Sequence, residues 1–277
     1  MAPTVSDAPG LRTFSFGGGW QSMAALVLAA QGRIDFQTFL FANVGQDSEN
    51  PHTLTYFERY AAPFAAAHGL RLIELERRIG KDRQQTETIR GRIINSNGSR
   101  QTIPVFLTNG KPGKRNCTYD FKVLVTGAWL KAHGATEDNP ATVAMGISLD
   151  EISRANTGKA MPYERLIYPL LDLKIRRADC PRIIRSAGLP VPPKSSCDFC
   201  PMRKIHEWQA MREQDPARFE RACKVEDTIN AHLAAKGKRP VYLTRMGRPL
   251  RELFKDGEQL PLFATDDAGC DNGWCWT

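Results

Sequence analysis

The chain has 277 residues and carries 38 lysines and arginines against 30 aspartates and glutamates, a net charge of +8. Its hydrophobic content of 42% and charged content of 25% are those of an ordinary globular protein, which excludes a disordered, collagen-like or coiled-coil chain. No apolar run reaches the roughly 18 residues of a membrane span, and residues 1–10 lack the pattern of a signal peptide. We therefore expect a cytoplasmic protein with no membrane partner.

Strands and helices alternate along most of the chain. The periodicity of the apolar residues predicts strands over 11–16, 36–43, 70–76 and 141–148, and helices over 20–32, 52–69, 119–133, 177–187 and 202–235. Such alternation predicts an α/β fold with a Rossmann-like parallel sheet flanked by helices. We expect this domain to span residues 11–165. Residues 166–277 would then form a smaller, mainly helical, cysteine-containing C-terminal part with a flexible tail.

A glycine-rich loop lies between the first predicted strand and the first predicted helix. It reads Ser15-Phe16-Gly17-Gly18-Gly19-Trp20-Gln21-Ser22. At this place a parallel α/β fold presents backbone N–H groups and the positive end of a helix dipole, which together bind phosphate. The loop has neither the GxxxxGK[ST] nor the GxGxxG pattern, so a simple tight turn remains the alternative.

The seven cysteines are an odd number in a chain too large to need disulfides, which favours metal or redox chemistry in a reducing compartment. Cys197 and Cys200 form a CxxC sequence followed by proline, a spacing that can hold a metal ion or two irons of a cluster. Together with Cys117 and Cys180 they can supply the four thiolates of a [4Fe-4S] cluster. A Cys₄ zinc site is the alternative. A thioredoxin-like redox pair is less suitable because no strand precedes Lys194.

The glycine loop resembles the SGGxDS pyrophosphate loop of the adenine-nucleotide alpha-hydrolase superfamily, within its phosphoadenylyl-sulfate reductase-like, iron–sulfur branch. Gly18, Gly19 and Ser22 match, whereas Gly17 replaces a serine and Gln21 replaces an acidic residue. Three further segments resemble family segments and occur in the same order: Asn43-Val44-Gly45-Gln46-Asp47 with Pro51 and Thr53, Gly146-Ile147-Ser148-Leu149-Asp150-Glu151-Ile152-Ser153-Arg154, and Tyr168-Pro169-Leu170-Leu171-Asp172. The resemblance spans roughly residues 13–205.

The resemblance implies an adenine nucleotide, ATP with Mg²⁺, as a bound cofactor. The residues carried over as its ligands are Ser15, Gly17, Gly18, Gly19, Gln21, Ser22, Asn43, Glu151 and Arg154. In the family the acid at the position of Gln21 helps to organise Mg²⁺ and the triphosphate, so Gln21 favours nucleotide binding more than ATP cleavage. Without the resemblance, Glu151 and Arg154 are typical of a helix N-terminus with a solvated arginine.

The resemblance also implies that Cys117, Cys197, Cys200 and Cys180 are cluster ligands. If Cys180 is instead a buried apolar thiol, the other three leave one iron open, as in sulfur transferases that bind sulfide on the cluster. The tail cysteines Cys270 and Cys275 are catalytic candidates, because sulfonucleotide reductases use a tail cysteine as nucleophile. The alternative for the tail is an ordered segment that packs Trp274 and Trp276. The remaining cysteine, in a predicted amphipathic helix, is expected in the core: Cys223.

Positive charge is concentrated between Arg77 and Lys131, with twelve basic residues against three acidic ones. This stretch can meet a nucleic acid or the phosphates of a nucleotide, and a solvated basic face is the alternative. We expect an ATP-dependent sulfur transferase with a [4Fe-4S] cluster that adenylylates a nucleic acid or nucleotide, with a separate sulfur or electron donor. The alternatives are a sulfonucleotide reductase that uses a tail cysteine and a nucleotide- or nucleic-acid-binding protein with structural zinc.

Overall fold

A computed structural model describes residues 10–96, 100–155 and 160–255. The strands are Arg12–Ser15 (β1), Thr38–Asn43 (β2), Arg71–Glu76 (β3), Arg78–Ile79 (β4), Gln85–Thr86 (β5), Ala141–Met145 (β6) and Glu164–Ile167 (β7). The α-helices are Trp20–Ala30 (α1), Pro51–Tyr56 (α2), Ala62–Ala67 (α3), Ile89–Ile94 (α4), Asn116–Thr118 (α5), Leu124–Ala132 (α6), Pro169–Asp172 (α7), Cys180–Ser186 (α8), Ile205–Gln214 (α9), Pro216–Ala234 (α10) and Leu250–Leu253 (α11). Phe57–Ala61 and Tyr119–Val123 are π-helical, and Leu149–Arg154 and Arg177–Asp179 are 3₁₀-helical.

Five strands form one sheet in the order β3-β2-β1-β6-β7. The pairs of β1 with β2, β1 with β6 and β6 with β7 are parallel, and Phe14 lies opposite both Phe39 and Ala144. The α/β fold with a Rossmann-like parallel sheet is therefore confirmed. Since the chain leaves β1 towards β2 and later returns to β6 on the other side, the strand order reverses beside β1. Open α/β sheets bind ligands at the carboxyl ends of the strands at such a switch point.

The long helix predicted over Met202–Ala235 is wrong, because the structure has two helices there, α9 and α10. Pro216 begins α10, and a proline disfavours helical backbone in the residue before it. Asp215 accordingly has φ −144° and ψ 72°, and its Oδ1 accepts a hydrogen bond of 3.0 Å from the N–H of Arg218. The Asp-Pro sequence thus ends one helix and caps the next.

The chain divides into two interleaved compact units. Among the described residues, the first unit comprises 10–42, 55–75 and 124–194, and the second comprises 43–54, 76–123 and 195–255. This division differs from the expected boundary after residue 165. The reason is that segments following β2 and β3 share one apolar core with the C-terminal helices α9, α10 and α11.

Each unit has its own buried apolar core. In the first unit α1 is buried from Ser22 to Ala29, and Leu40, Leu130 and Tyr163 belong to a further cluster. In the second unit the largest fully buried side chains are Trp208, Phe121 and Phe199. No helix in the described ranges combines the length and apolar character needed to cross a bilayer.

Candidate functional site

The glycine loop lies at the switch point of the sheet, in the first unit. The N–H of Phe16 continues the strand pairing by donating to the carbonyl of Leu40 (2.8 Å), and Gly18 then turns the chain with φ +74°. A residue with a side chain rarely adopts this left-handed backbone, so the turn requires glycine. Gly19 precedes α1, and no side chain caps that helix N-terminus. Backbone N–H groups presented in this way form an anion site.

The carried-over polar residues Gln21, Glu151 and Arg154 meet in the first unit. The Gln21 Nε2 donates to Glu151 Oε2 (2.6 Å) and to Ser148 Oγ (3.3 Å), and Arg154 Nη1 donates to the same Glu151 oxygen (2.9 Å). Gly146 lies beside them, and a Cβ there would be 3.4 Å from the Cβ of Gln21. Residues from the start of α1 and from the 3₁₀ helix after β6 therefore form one hydrogen-bonded group.

Burial raises the pKa of the Glu151 carboxyl, and the nearby Arg154 guanidinium partly opposes this effect. The carboxylate oxygen Oε2 accepts from both Gln21 and Arg154. An aspartate at position 21 would instead face Glu151 as a like charge, which is unfavourable unless a cation lies between them.

The other predicted nucleotide ligands occupy the ends of β1 and β2 and the loop itself. Ser15 is the last residue of β1, and the hydroxyl of Ser22 donates to the carbonyl of Gly19 (3.0 Å). Asn43, the last residue of β2, is buried, and its Oδ1 accepts from the N–H of Gly45 (2.9 Å). This bond shapes the turn after β2, and contact of these residues with a nucleotide stays a prediction.

Three of the predicted cluster cysteines lie in the second unit. Cys117 is in the short helix α5, while Cys197 and Cys200 form a turn in which the Cys200 N–H donates to the Cys197 carbonyl (3.2 Å). Cys117 and Cys197 pack against the same apolar core, which contains Phe199 of the CxxC turn. The fold thus brings residue 117 and the turn 197–200 onto one core despite their separation in sequence.

The three thiols influence one another electrostatically. Burial, followed by the neighbouring Cys200 sulfur, raises the pKa of Cys117, and the cations of Arg115 and Lys122 oppose this effect. Burial raises the pKa of Cys197 well above its usual value, with further increases from Glu49, Cys200 and Cys117. A raised pKa favours the protonated thiol, so metal binding by Cys117 and Cys197 would release protons.

A buried ion pair holds the CxxC turn. Arg218 Nε donates to Asp198 Oδ1 at 2.6 Å, and both side chains are at most 10% exposed. Arg203 Nη2 donates to the Cys197 carbonyl (3.2 Å) and to Ser196 Oγ (3.0 Å). These bonds restrain the backbone from Ser196 to Asp198 and place the Arg203 guanidinium beside it, and such bonds orient the residues that bind a metal.

The donor set at Cys117, Cys197 and Cys200 consists of sulfur, which suits iron–sulfur clusters and zinc. Within the part of the chain that the structure describes, no three or more histidine, cysteine, aspartate or glutamate side chains are arranged around a single ion position. The sulfur donors and the partial burial of all three cysteines suit either group, and the binding of a cluster stays a prediction.

The remaining cysteines have different surroundings. Cys180 is fully buried at the start of α8 in the first unit, where its Sγ lies 3.6 Å from the carbonyl of Arg176. Burial raises the pKa of Cys180 to about 12, and that of Cys223, in the core of the second unit, also to about 12. Metal binding by Cys180 stays a prediction. Cys270 and Cys275 lie outside the described residues.

Part of the basic stretch serves the fold of the second unit. Arg92 pairs with Glu87 and, at 2.6 Å, with Asp120, while its guanidinium lies 4.5 Å from the centroid of the Phe121 ring. Arg77 likewise pairs with Glu87 at 2.7 Å. Other members are open to solvent, and the exposed ones include Lys81, Arg83, Arg100, Lys111 and Lys114.

Sequence reasoning missed the charged residues around the cysteines, namely Glu49, Asp198, Arg203 and Arg218. Glu49 stands in the polar stretch GQDSENP and gives no sign of burial in the sequence, yet it is 2% exposed. The acid at position 198 is visible inside the CxxC sequence, but its buried partner Arg218 is not, since the pair forms only in the folded chain.

Comparison with known proteins gives little further guidance. No family model matches the chain, and no curated protein matches it. Among solved structures, the chain is similar to the U34-tRNA thiolase NcsA from Methanococcus maripaludis with its [4Fe-4S] cluster. The two are 11% identical over 80% of this chain and 73% of that chain, with a TM-score of 0.40. A likeness at this level assigns no activity.

Proposed function

We propose that this protein is an iron–sulfur, ATP-dependent sulfur transferase that acts on a nucleic acid or nucleotide. The observation that carries the proposal is that Cys117 and Cys197 pack against one core, with Cys200 in the same turn as Cys197. The cations that act on these thiols are Arg115, Lys122 and Arg203. We propose these three thiolates as the ligands of a [4Fe-4S] cluster. Cys180 then has a packing role, which its full burial supports.

The glycine loop would bind the phosphates of ATP in the first unit. Backbone N–H groups at the start of α1 would stabilise the charge that develops as an oxygen of the acceptor attacks the α-phosphorus. A bond forms between that oxygen and phosphorus, and pyrophosphate leaves with the electrons of the broken bond. The product is an adenylylated acceptor, in which the former oxygen can leave as AMP.

A sulfide donor then completes the exchange of oxygen for sulfur. The sulfur attacks the activated carbon, a carbon–sulfur bond forms, and the carbon–oxygen bond breaks with release of AMP. No electrons are gained or lost overall when the donor is sulfide. Cys117, Cys197 and Cys200 would hold the cluster, and an iron without a fourth thiolate would bind the sulfur donor.

A nucleic acid acceptor is supported by exposed side chains close in sequence to Cys117. Arg100 donates to Asn116 Oδ1 at 3.0 Å while its side chain stays 62% exposed, and Lys114 and Tyr119 are exposed as well. A cation of this kind binds phosphate and an exposed aromatic ring stacks on a base. We expect Arg100→Ala and Lys114→Ala each to lower the salt dependence of RNA binding by about one phosphate contact. Arg33→Ala, in an exposed position of the first unit, is the control.

Metal analysis tests the cluster. We expect the full chain, purified anaerobically, to be brown and to contain iron and acid-labile sulfide rather than zinc. Cys117→Ser, Cys197→Ser and Cys200→Ser should each lose most of the iron. Cys223→Ser, which changes a buried cysteine of the same unit, should retain it. Zinc without sulfide in the wild-type protein would instead favour the binding protein with a structural metal.

Nucleotide binding is tested at the glycine loop. Gly18→Ala should weaken ATP binding at least tenfold, because alanine disfavours φ +74° and adds a methyl group where phosphate would approach. Gly69→Ala is a matched control, since Gly69 has φ +69° in the same unit and open space around its Cα. Gly69→Ala should lower the free energy of unfolding about as much as Gly18→Ala does, but it should leave the affinity for ATP unchanged. Equal ATP affinity in both variants would exclude the loop as the nucleotide site.

The hydrogen bond between Gln21 and Glu151 favours a second candidate, a sulfonucleotide reductase. This reaction needs no Mg²⁺-assisted cleavage of a triphosphate. It is therefore compatible with a Glu151 carboxylate that accepts hydrogen bonds from Gln21 and Arg154. A thiolate of Cys270 or Cys275 would attack the sulfur of a bound adenylyl sulfate and release AMP. A second thiol would then displace sulfite and form a disulfide.

Sulfite release that Cys270→Ser or Cys275→Ser abolishes would favour the reductase. Acceptor-dependent release of pyrophosphate and AMP from ATP would favour the transferase.

A further inference from the structure

A buried carboxylate lies beside the CxxC turn in the second unit. Glu49 is 2% exposed, and its Oε1 accepts a hydrogen bond of 3.1 Å from the adjacent N–H of Asn50. Burial raises the pKa of this carboxyl, and the charge of Lys122 is the main influence that lowers it. A carboxylate is rarely buried to this extent unless it is paired or binds a metal.

Backbone hydrogen bonds hold Glu49 against the cysteine turn. The N–H groups of Ser48 and Glu49 both donate to the carbonyl of Gly45, at 3.0 and 2.9 Å, so residues 45–49 form a tight turn. The N–H of Asp198 then donates to the carbonyl of Ser48 at 3.0 Å. This bond joins the residue before Glu49 to the residue after Cys197.

The burial of Glu49 and the bond between Ser48 and Asp198 place a carboxylate and the Cys197 thiol in the same part of the second unit. Burial raises the pKa of both groups, and a bound cation would stabilise their charged forms.

We propose that Glu49 is the fourth protein ligand of the cluster, an oxygen donor to the iron that Cys117, Cys197 and Cys200 leave open. The inference rests on the proposed function, because it needs the three-cysteine cluster. Carboxylate oxygen is a known donor to iron. Since iron–sulfur clusters favour soft thiolates, the oxygen ligand is the one that an incoming sulfide displaces.

The test compares how well the cluster keeps its fourth iron. The full chain and its variants are reconstituted anaerobically with iron and sulfide, oxidised mildly, and examined by iron analysis and EPR spectroscopy. The wild type should retain roughly four irons per chain. Glu49→Gln should lose about one iron and give a several-fold larger signal of the three-iron form. Glu49→Cys should resist oxidation at least as well as the wild type.

Two variants control this measurement. Glu226→Gln changes another carboxyl that is 2% exposed in the same unit and should behave as the wild type. Cys180→Ser should do so too, since Cys180 is the competing fourth ligand. The inference is overturned if Glu49→Gln keeps the fourth iron, or if either control loses it equally. If Glu49→Gln does not fold, the EPR signal of Glu49→Cys is the test instead. Formation of the three-iron form in Glu49→Cys contradicts the assignment of Glu49 as a ligand. A wild type that takes up no iron overturns the proposed function and this inference together.

Discussion

At the scale of single residues, Gln21 has the clearest chemical consequence. Its amide donates to Glu151 at 2.6 Å, at the position where the SGGxDS pattern has an acid. Gln21→Asp would place two carboxylates together and remove a hydrogen bond. We expect this variant to lose about 1–3 kcal/mol of unfolding free energy in the presence of a chelator. Millimolar Mg²⁺ or Mn²⁺ should restore most of this loss, as measured by the shift in denaturation midpoint.

The control for this prediction is Gln21→Ala, which removes the hydrogen bond without adding charge. It should lose less stability, and divalent cations should not restore it. An equal response of both variants to cations would show that the cation binds elsewhere. The prediction also bears on function, since a cation-dependent Gln21→Asp protein would show that an acid at position 21 creates a metal position beside Glu151.

Single residues also show how far the sequence could be interpreted. The loop around Gly18 and the CxxC turn were predictable because each depends on neighbours along the chain. The burial of Glu49 and the Asp198–Arg218 pair were not, because each results from packing between segments far apart in sequence. The Asp215-Pro216 dipeptide indicates the end of α9, whereas the periodicity of the apolar residues alone does not.

At the scale of elements, α10 anchors the chain that follows it through Glu226. Its two carboxylate oxygens accept hydrogen bonds from the N–H groups of Leu243 and Leu250, both at 2.7 Å. Burial nevertheless raises the pKa of Glu226 from 4.5 to about 7. Glu226 thus fixes the loop before α11, and its raised pKa makes the stability of the protein depend on pH.

The sign of that pH dependence follows from the raised pKa. The folded state holds the proton more tightly than the unfolded state, so the contribution of Glu226 is fully present below pH 4.5 and is lost as the pH rises through about 7. The loss is up to about 3 kcal/mol. We expect Glu226→Gln to lose less stability than the wild type between pH 5 and 8, measured by urea unfolding at each pH.

The control is Glu252→Gln, an exposed position on α11, which should keep the slope of the wild type. The comparison concerns the slope of unfolding free energy against pH and not its absolute value. The reason is that glutamine cannot accept both backbone hydrogen bonds and will lower stability at every pH. Parallel pH curves for the wild type and Glu226→Gln would contradict the raised pKa.

At the scale of the whole molecule, the two units carry separate candidate sites. The glycine loop belongs to the first unit, and Cys117, Cys197 and Cys200 belong to the second. We expect an ATP analogue to slow amide hydrogen exchange at residues 15–22, and cluster reconstitution to slow it around residues 117 and 197–200. Protection by the nucleotide confined to the second unit would show that it binds outside the loop.

The parallel sheet was predictable from the alternation of strands and helices, whereas the division into units was not. Apolar periodicity indicates which face of an element is buried, but it does not indicate which distant segment covers that face. Residues 43–54 and 76–123 follow strands of the first sheet and yet share their core with α9 and α10. A boundary drawn from sequence order therefore separated segments that pack together.

The interleaving of the second unit sets an order of events during synthesis. Cys117 leaves the ribosome well before Cys197 and Cys200, and the core on which they meet also needs the helices that follow. Domains generally fold as units, so this one stays incomplete until the residues of α11 have emerged. A cofactor held by these three thiols would therefore be inserted only after α9, α10 and α11 have been made.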